Sequence, residues 1–300
     1  MKTIKEIAQS IDTIEVINES IEKVIAVMAI EDKLFDKNSI GWCSDKNMYL
    51  IKELKCGSVI ISKELRNNLL IKDYPSICFL VVENPRAAFA TMLKNHFVKI
   101  EAVGEIGMNC QIHSSVKVDL TNVKFGNNLV IEENCVIGNN VFIDHNTVIK
   151  AETIIHPNVK IGANCTIGGV GFGYEANEAG EYEVIPHIGN VELKSFVEIG
   201  NNVCIDKAVL GSTLLNEHVK VDNLVHIAHG VEIGKNSLII ANAMIAGSVK
   251  IGENCWIAPS SSIKQKLHIG NSALVGLGSV VIKDVEENAV VAGVPAKKMN

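Results

Sequence analysis

Aromatic residues are scarce in this 300-residue chain: two tryptophans, four tyrosines and eight phenylalanines, alongside only six prolines. A core filled by large rings is thereby excluded, and the apolar volume has to come from aliphatic side chains. No run of about 18 apolar residues is present to cross a bilayer. The opening MKTIKEIAQSIDTIEV has no continuous apolar stretch behind its basic residues, so neither membrane insertion nor export is expected and the protein reads as cytoplasmic. A formal net charge of −6 excludes a general attraction for nucleic acid or anionic membrane, and any phosphate must be held locally. The eight cysteines (43, 56, 78, 110, 135, 165, 204, 255) form no CxxC pair and sit singly among apolar residues. Buried free thiols are expected from them, not disulfides or zinc ligands. The first hundred residues also lack a glycine-rich phosphate loop, which disfavours a fused sugar nucleotidyltransferase.

Isoleucine, valine and glycine are abundant instead, and their spacing decides the fold. From Val221 every sixth residue is aliphatic: Ile227, Ile233, Ile239, Ile245, Ile251, Ile257, Ile263, Ile269, Val275 and Val281. A second register holds Phe125, Ile131, Ile137, Ile143, Ile149, Ile155, Ile161 and Ile167, and Leu193, Ile199 and Ile205 follow an interruption. Two places before these positions stand small or β-branched residues such as Val123, Cys135, Thr147, Cys165, Ala243 and Cys255. A period of six fits neither the 3.6 of a helix nor the alternation of long hairpins. Three short faces closing a triangular coil do fit: residues eighteen apart then stack at about 4.8 Å, and the aliphatic ladder becomes a continuous interior. The recurring I-G-x-N pattern (Ile106-Gly107, Ile137-Gly138, Ile161-Gly162, Ile199-Gly200, Ile233-Gly234, Ile251-Gly252) is expected to put glycine and asparagine at corners that need positive φ.

Residues 1–100 lack the repeat. They alternate helical patterns (Thr3–Gln9, Asn47–Leu54, Pro85–Asn95) with strand-like runs (Val24–Ala29, Ser58–Ser62, Ile77–Val82), which predicts a small α/β domain ahead of a mostly β domain at 101–300. Between Gly168 and Pro186 the register breaks at GVGFGYEANEAGEYEVIP. This insertion, 168–186, must loop outward and is placed to shape a site.

One segment carries candidate chemistry. In DNLVHIAHGVEIG (Asp222–Gly234), His229 lies two residues beyond the inward Ile227, near a corner from which its ring can reach the surface. Eighteen residues later, in IAGSVKIG, Gly247 occupies the matching place one coil up. An amine attacking a thioester needs a base of near-neutral pKa and a donor for the developing oxyanion, and a histidine beside an unobstructed glycine N–H suits both needs.

With these motifs in order, the chain resembles the UDP-3-O-acylglucosamine N-acyltransferases of lipid A synthesis, within the hexapeptide-repeat transferases. The matching stretches are GFGY in the insertion, IPHIGNVELKSFVEIGNNVCID after it, DNLVHIAHGVEIG, IAGSVKIG, and GWCSDKNMYLIKEL with VVENPRAAFA in front. The resemblance implies a left-handed parallel β-helix, although the general crossover rule favours the opposite hand. It implies a homotrimer with the acyl groove between subunits, no tightly bound cofactor, His229 as general base and Gly247 as oxyanion donor. In the front domain it implies a nucleotide-binding pocket in which Trp42 stacks on the base beside Tyr49, with Asp45 or Asn47 bonding the base edge. Phe172 and Tyr174 would line the sugar side.

Two departures shape the remaining expectations. Where the family has a second histidine this chain has Lys266, in SIKQKLHIG. The ending VIKDVEENAVVAGVPAKKMN resembles short coenzyme A-dependent acetyltransferases. Acyl-CoA is therefore expected as the donor, held by Lys266, Lys283, Lys297 and Lys298, and the acceptor is expected to be a nucleotide-linked amino sugar for surface glycan. The alternative is the lipid A reaction itself, with acyl carrier protein as donor; a non-catalytic β-helix scaffold is the reading from another class. A zinc hydratase would need three convergent histidines, with His226, His229 and either His268 or His218 as candidates. However, His226 and His229 lie one before and two after Ile227 and so diverge.

Overall fold

The computed structural model describes residues 2–19, 23–98 and 103–299. The chain divides into a unit Met1–Glu101 and a unit Ala102–Asn300.

The first unit is built on a five-stranded sheet in the order Glu15–Ile17, Ile77–Val82, Gly57–Ser62, Ser39–Trp42, Ala26–Val27. All pairs but the first are parallel. Gly57–Ser62 and Ile77–Val82 are buried along their whole length, as central parallel strands covered on both faces must be. The helices begin where the local chemistry supplies caps. Thr3 and Glu6 close a capping box, the Ser62 hydroxyl accepts from Leu65 N–H at 2.9 Å, and Asn84 caps a helix whose first residue is Pro85. The run Val24–Ala29 forms two short strands, Lys23–Val24 and Ala26–Val27, which join different sheets.

In the second unit the six-residue period becomes strands mostly two residues long, stacked into three sheets. Parallel partners stand eighteen apart, as in Ile149↔Ile167, Ile227↔Ile245 and Ile263↔Val281. No residue of the ladder from Val221 to Val281 is more than 4% exposed. Coiling begins earlier than the aliphatic period, because Glu105–Ile106 and Gln111–Ile112 already pair with the next coil. Buried hydroxyls close the corners. Thr147 Oγ1 donates to Gly162 O at 2.8 Å and accepts from Cys165 N–H at 3.1 Å, and Ser237 does the same with Gly252 O and Cys255 N–H. Cys135, Cys165 and Cys255 fill interior places, and burial pushes the Cys135 thiol up to about 11. Cys204 departs from the expectation of buried thiols, since it occupies an outward strand position and is exposed.

Corner chemistry divides differently from the expectation. Asparagines such as Asn128, Asn134, Asn140 and Asn146 do take φ between 56° and 59°. Glycines 107, 138, 162, 200, 234 and 252 do not; none has positive φ. They are glycine because the neighbouring coil leaves no room: a Cβ on Gly234 would lie 2.5 Å from the Gly252 carbonyl, and one on Gly107 2.3 Å from Gly126 O. At a stacking distance of about 4.8 Å the corner backbones nearly touch. Gly234→Ala is therefore expected to cost about 1–3 kcal/mol by overpacking against backbone, read as a lowered midpoint in chemical denaturation. An unchanged midpoint would remove this account.

The regular step fails twice. Ile155 pairs with Leu193 and Ile161 with Ile199, 38 residues apart, so 20 residues are inserted. Leu193 pairs with Leu215 and Ile199 with Val221, 22 apart, so four more are inserted near Lys207–Gly211. Within the first insertion Tyr174–Ala176 and Tyr182–Val184 form an antiparallel hairpin. Contrary to the expected clean break, the strand Thr166–Val170 carries on through Gly168 across a bulge before the chain turns out.

Candidate active site

His229 sits in the turn after strand His226–Ile227, half-buried. Its coil neighbour Gly247 follows Met244–Ile245, and Ser248 N–H donates to His229 O at 2.9 Å, which fixes the two turns one above the other. A Cβ on Gly247 would fall 2.7 Å from His229 Nε2 and 2.9 Å from Cε1, so the ring lies against the glycine backbone. Neither ring nitrogen bonds to a described residue, and Gly247 N–H has no acceptor among them. Burial, and secondarily the neighbouring His187 imidazole, hold His229 below the ordinary histidine pKa. A neutral imidazole with a free lone pair beside an uncommitted amide can take a proton and hold an oxyanion in adjacent places.

The two ends of the 20-residue insertion meet at this ring. Gly171 arrives from the first end, where a Cβ would lie 2.9 Å from His229 Cβ and 2.8 Å from His187 Nε2. His187 arrives from the other; it is 5% exposed and its ring meets His229 edge to face at 5.2 Å. Asp206 lies in the next strand, 3.6 Å from His226 Nε2, and its carboxyl is pushed up by burial against the opposing pull of His226 and His187. His187 and Gly171 escape a reading by period, because the insertion that brings them together has no period, while Asp206 stands on the coil one place after inward Ile205. The only sign in the sequence is a histidine in IPHIG directly where the register resumes. A histidine does therefore stand beside His229, but it comes from the returning end of the insertion, one residue past the expected bound at 186, and not from the position of Lys266.

Phe172 and Tyr174 flank the foot of the hairpin with rings 4.9 Å apart, Phe172 being 89% exposed. Lys266 takes the left-handed corner conformation at φ 62° and donates its N–H to Gly247 O. Lys283 follows inward Val281 as His229 follows Ile227, three strand spacings or about 14 Å along the same corner. Lys297 and Lys298 form a terminal strand on another sheet, and Lys298 pairs with Glu286 at 2.7 Å. The candidate zinc histidines stand apart as well. His226 and His268 belong to different sheets and His218 stacks on Phe196 at 4.8 Å; among the described residues no group of three His, Cys, Asp or Glu could hold a metal.

In the first unit Trp42 ends its strand and, with Asn47, lines a cavity of about 240 Å³ shared with Met28, Ser44, Leu50 and Phe89. This is the carboxyl end of a parallel strand, where open α/β sheets place ligands. Trp42 and Phe89 lie 6.4 Å apart. Asp45 is turned to the Ser62 hydroxyl, and Tyr49, 59% exposed, does not line the cavity.

The bacterial transferase hexapeptide family (six repeats) matches residues 134–169. The UDP-3-O-acylglucosamine N-acyltransferase of Campylobacter lari is 41% identical over 258 residues, covering 82% of this chain and 77% of that one. A UDP-3-O-acylglucosamine N-acyltransferase of Francisella tularensis is 34% identical over 270 residues, covering 81% and 75%. The chain belongs to this N-acyltransferase family.

As a member of the family, the protein is an acyltransferase acting on a nucleotide-linked sugar. Because a match over 82% of the chain exceeds what the second unit alone could supply, it reaches into both units. The expected surface-glycan acceptor, which rested on the last twenty residues, is not what the relatives' names describe; they name UDP-3-O-acylglucosamine. The acyl-CoA expectation finds no support either. Its ending is part of the coil, with Val290–Ala292 stacking on Leu274–Val275 and folding back on Lys297–Lys298. Solved structures bear on the fold alone at their low identity. LpxA from Acinetobacter baumannii has a TM-score of 0.58 at 22% identity over 64% of this chain and 72% of that one, and the Francisella novicida UDP-N-acetylglucosamine acyltransferase has 0.58 at 22% over 63% and 67%. The fold is the left-handed parallel β-helix with a small α/β unit in front. No helix among the described residues is long and apolar enough to cross a membrane.

Proposed function

We propose that the protein acylates the amino group of UDP-3-O-acylglucosamine, taking the acyl chain from a thioester on acyl carrier protein. The observation that carries this is the His229 ring lying against Gly247, with neither the ring nitrogens nor the Gly247 N–H bonded to a described residue. His229 accepts a proton as the substrate amine adds to the thioester carbonyl, forming the C–N bond. Gly247 N–H donates to the oxyanion of the tetrahedral intermediate. Collapse breaks the C–S bond, and the imidazolium returns its proton to the departing thiolate. Binding the nucleotide falls to the cavity at Trp42, whose indole stacks on the base while Asn47 reaches its edge. Tyr49 and Asp45 stand beside that cavity without lining it. Phe172 and Tyr174 face the sugar, and Lys266 and Lys283 follow His229 along one corner, where they would meet donor phosphate. We read the working assembly as a homotrimer, for which exposed Leu224, Met244 and Trp256 offer apolar surface on the coil.

The test is a donor and acceptor panel with purified protein. With UDP-3-O-acylglucosamine as acceptor, acyl-carrier-protein donors should exceed matched acyl-CoA by at least about tenfold in kcat/KM, roughly 1.4 kcal/mol of discrimination. Preference for acyl-CoA would overturn the donor, and preference for an amino sugar without the 3-O-acyl chain would overturn the acceptor.

A further inference from the structure

His187 holds a buried nitrogen that the reaction above does not use. Its Nδ1–H donates to the Ile185 carbonyl at 2.7 Å, which leaves the lone pair on Nε2. That Nε2 is buried and has no partner among the described residues. It faces the Cβ and Cδ2 edge of His229 across a gap that exists because residue 171 is glycine; a Cβ there would stand 2.8 Å from Nε2 and 3.1 Å from Cδ2 of His229. Ile185 N–H in turn donates to Gly173 O at 2.8 Å, so the anchor of His187 belongs to the hairpin stem. The other titratable groups facing this pair, among the described residues, are Asp206 and, through it, His226.

We propose that His187 is a positioning residue for His229: anchored on Ile185, it walls one side of the imidazole, shields it from water and turns its Nε2 toward Gly247. The inserted segment thereby sets the working state of a residue on the regular coil. This rests on reading His229 as the base. The effect on proton affinity has one sign. Burial and the second imidazole both disfavour a charged His229, so removing His187 relieves both and makes His229 easier to protonate.

The test uses His187→Ala and His187→Asn, the latter keeping an amide N–H able to reach Ile185 O. In both, the acidic limb of kcat/KM should move to higher pH. The rate lost relative to wild type should be severalfold greater at pH 6 than at pH 8, approaching the roughly tenfold of a one-unit rise in the His229 titration only at pH well below it, with KM for the nucleotide sugar within about twofold. Carbethoxylation of His229, followed by peptide mass spectrometry against pH, reads the same titration without activity and should shift in the same direction. A uniform loss at every pH with an unmoved His229 titration would overturn the positioning role alone. Full activity of a His229→Ala protein would instead remove the reading on which it rests.

Discussion

His229→Ala should lower kcat by about 10²–10⁴ at saturating substrates while leaving the thermal midpoint nearly unchanged. The side chain is half-buried in a turn outside the aliphatic interior, and neither ring nitrogen bonds to a described residue, so the fold loses little when it goes. On the proposed mechanism the reaction loses its proton acceptor. The neutral ring is then the active form in the wild type, so kcat/KM falls as pH drops through the His229 titration. Because burial disfavours the charged ring, that fall should come below the ordinary histidine value of about 6.5. A His229→Ala enzyme within tenfold of wild type would dismiss the base assignment.

Gly247→Ala should be nearly as damaging to turnover, by about 10²–10³ in kcat, for a different reason. Gly247 is not in the left-handed region, so alanine fits its backbone. The new methyl lands 2.7 Å from the tip of the His229 ring, a flexible side chain that can be pushed aside. The base is displaced and the approach to the amide is narrowed, while the coil is spared. The contrast is Gly234→Ala, where the added Cβ meets backbone and the coil itself has to give. Measuring both properties in both variants separates the two uses of glycine. Loss of stability without loss of turnover at Gly247 would contradict the site geometry.

The β-helix was legible because its cause is periodic. One aliphatic side chain per six residues satisfies one interior position per face, and the ladder Val221 to Val281 went inside without exception. The vertical relation between His229 and Gly247 was legible for the same reason, since eighteen residues is one coil. The role of the corner glycines was not, because a one-dimensional pattern distinguishes poorly between a residue that needs positive φ and one that needs no side chain. Only the neighbouring coil supplies the obstruction at Gly107 or Gly234. The first unit shows the same division. Ile77–Val82 was apparent from its unbroken apolar run, while Ser39–Trp42 became a strand through its partners in the sheet.

Sequence alone determined the coil, its interior, and which coil carries the histidine, because each depends on spacing along the chain. Tertiary structure decided what surrounds that histidine. Gly171 and His187, sixteen positions apart with a hairpin between them, meet at His229 only after 20 inserted residues leave the coil and return to it. Such a closure is set by backbone turns and pairing within the insertion, for which no repeat exists to be read.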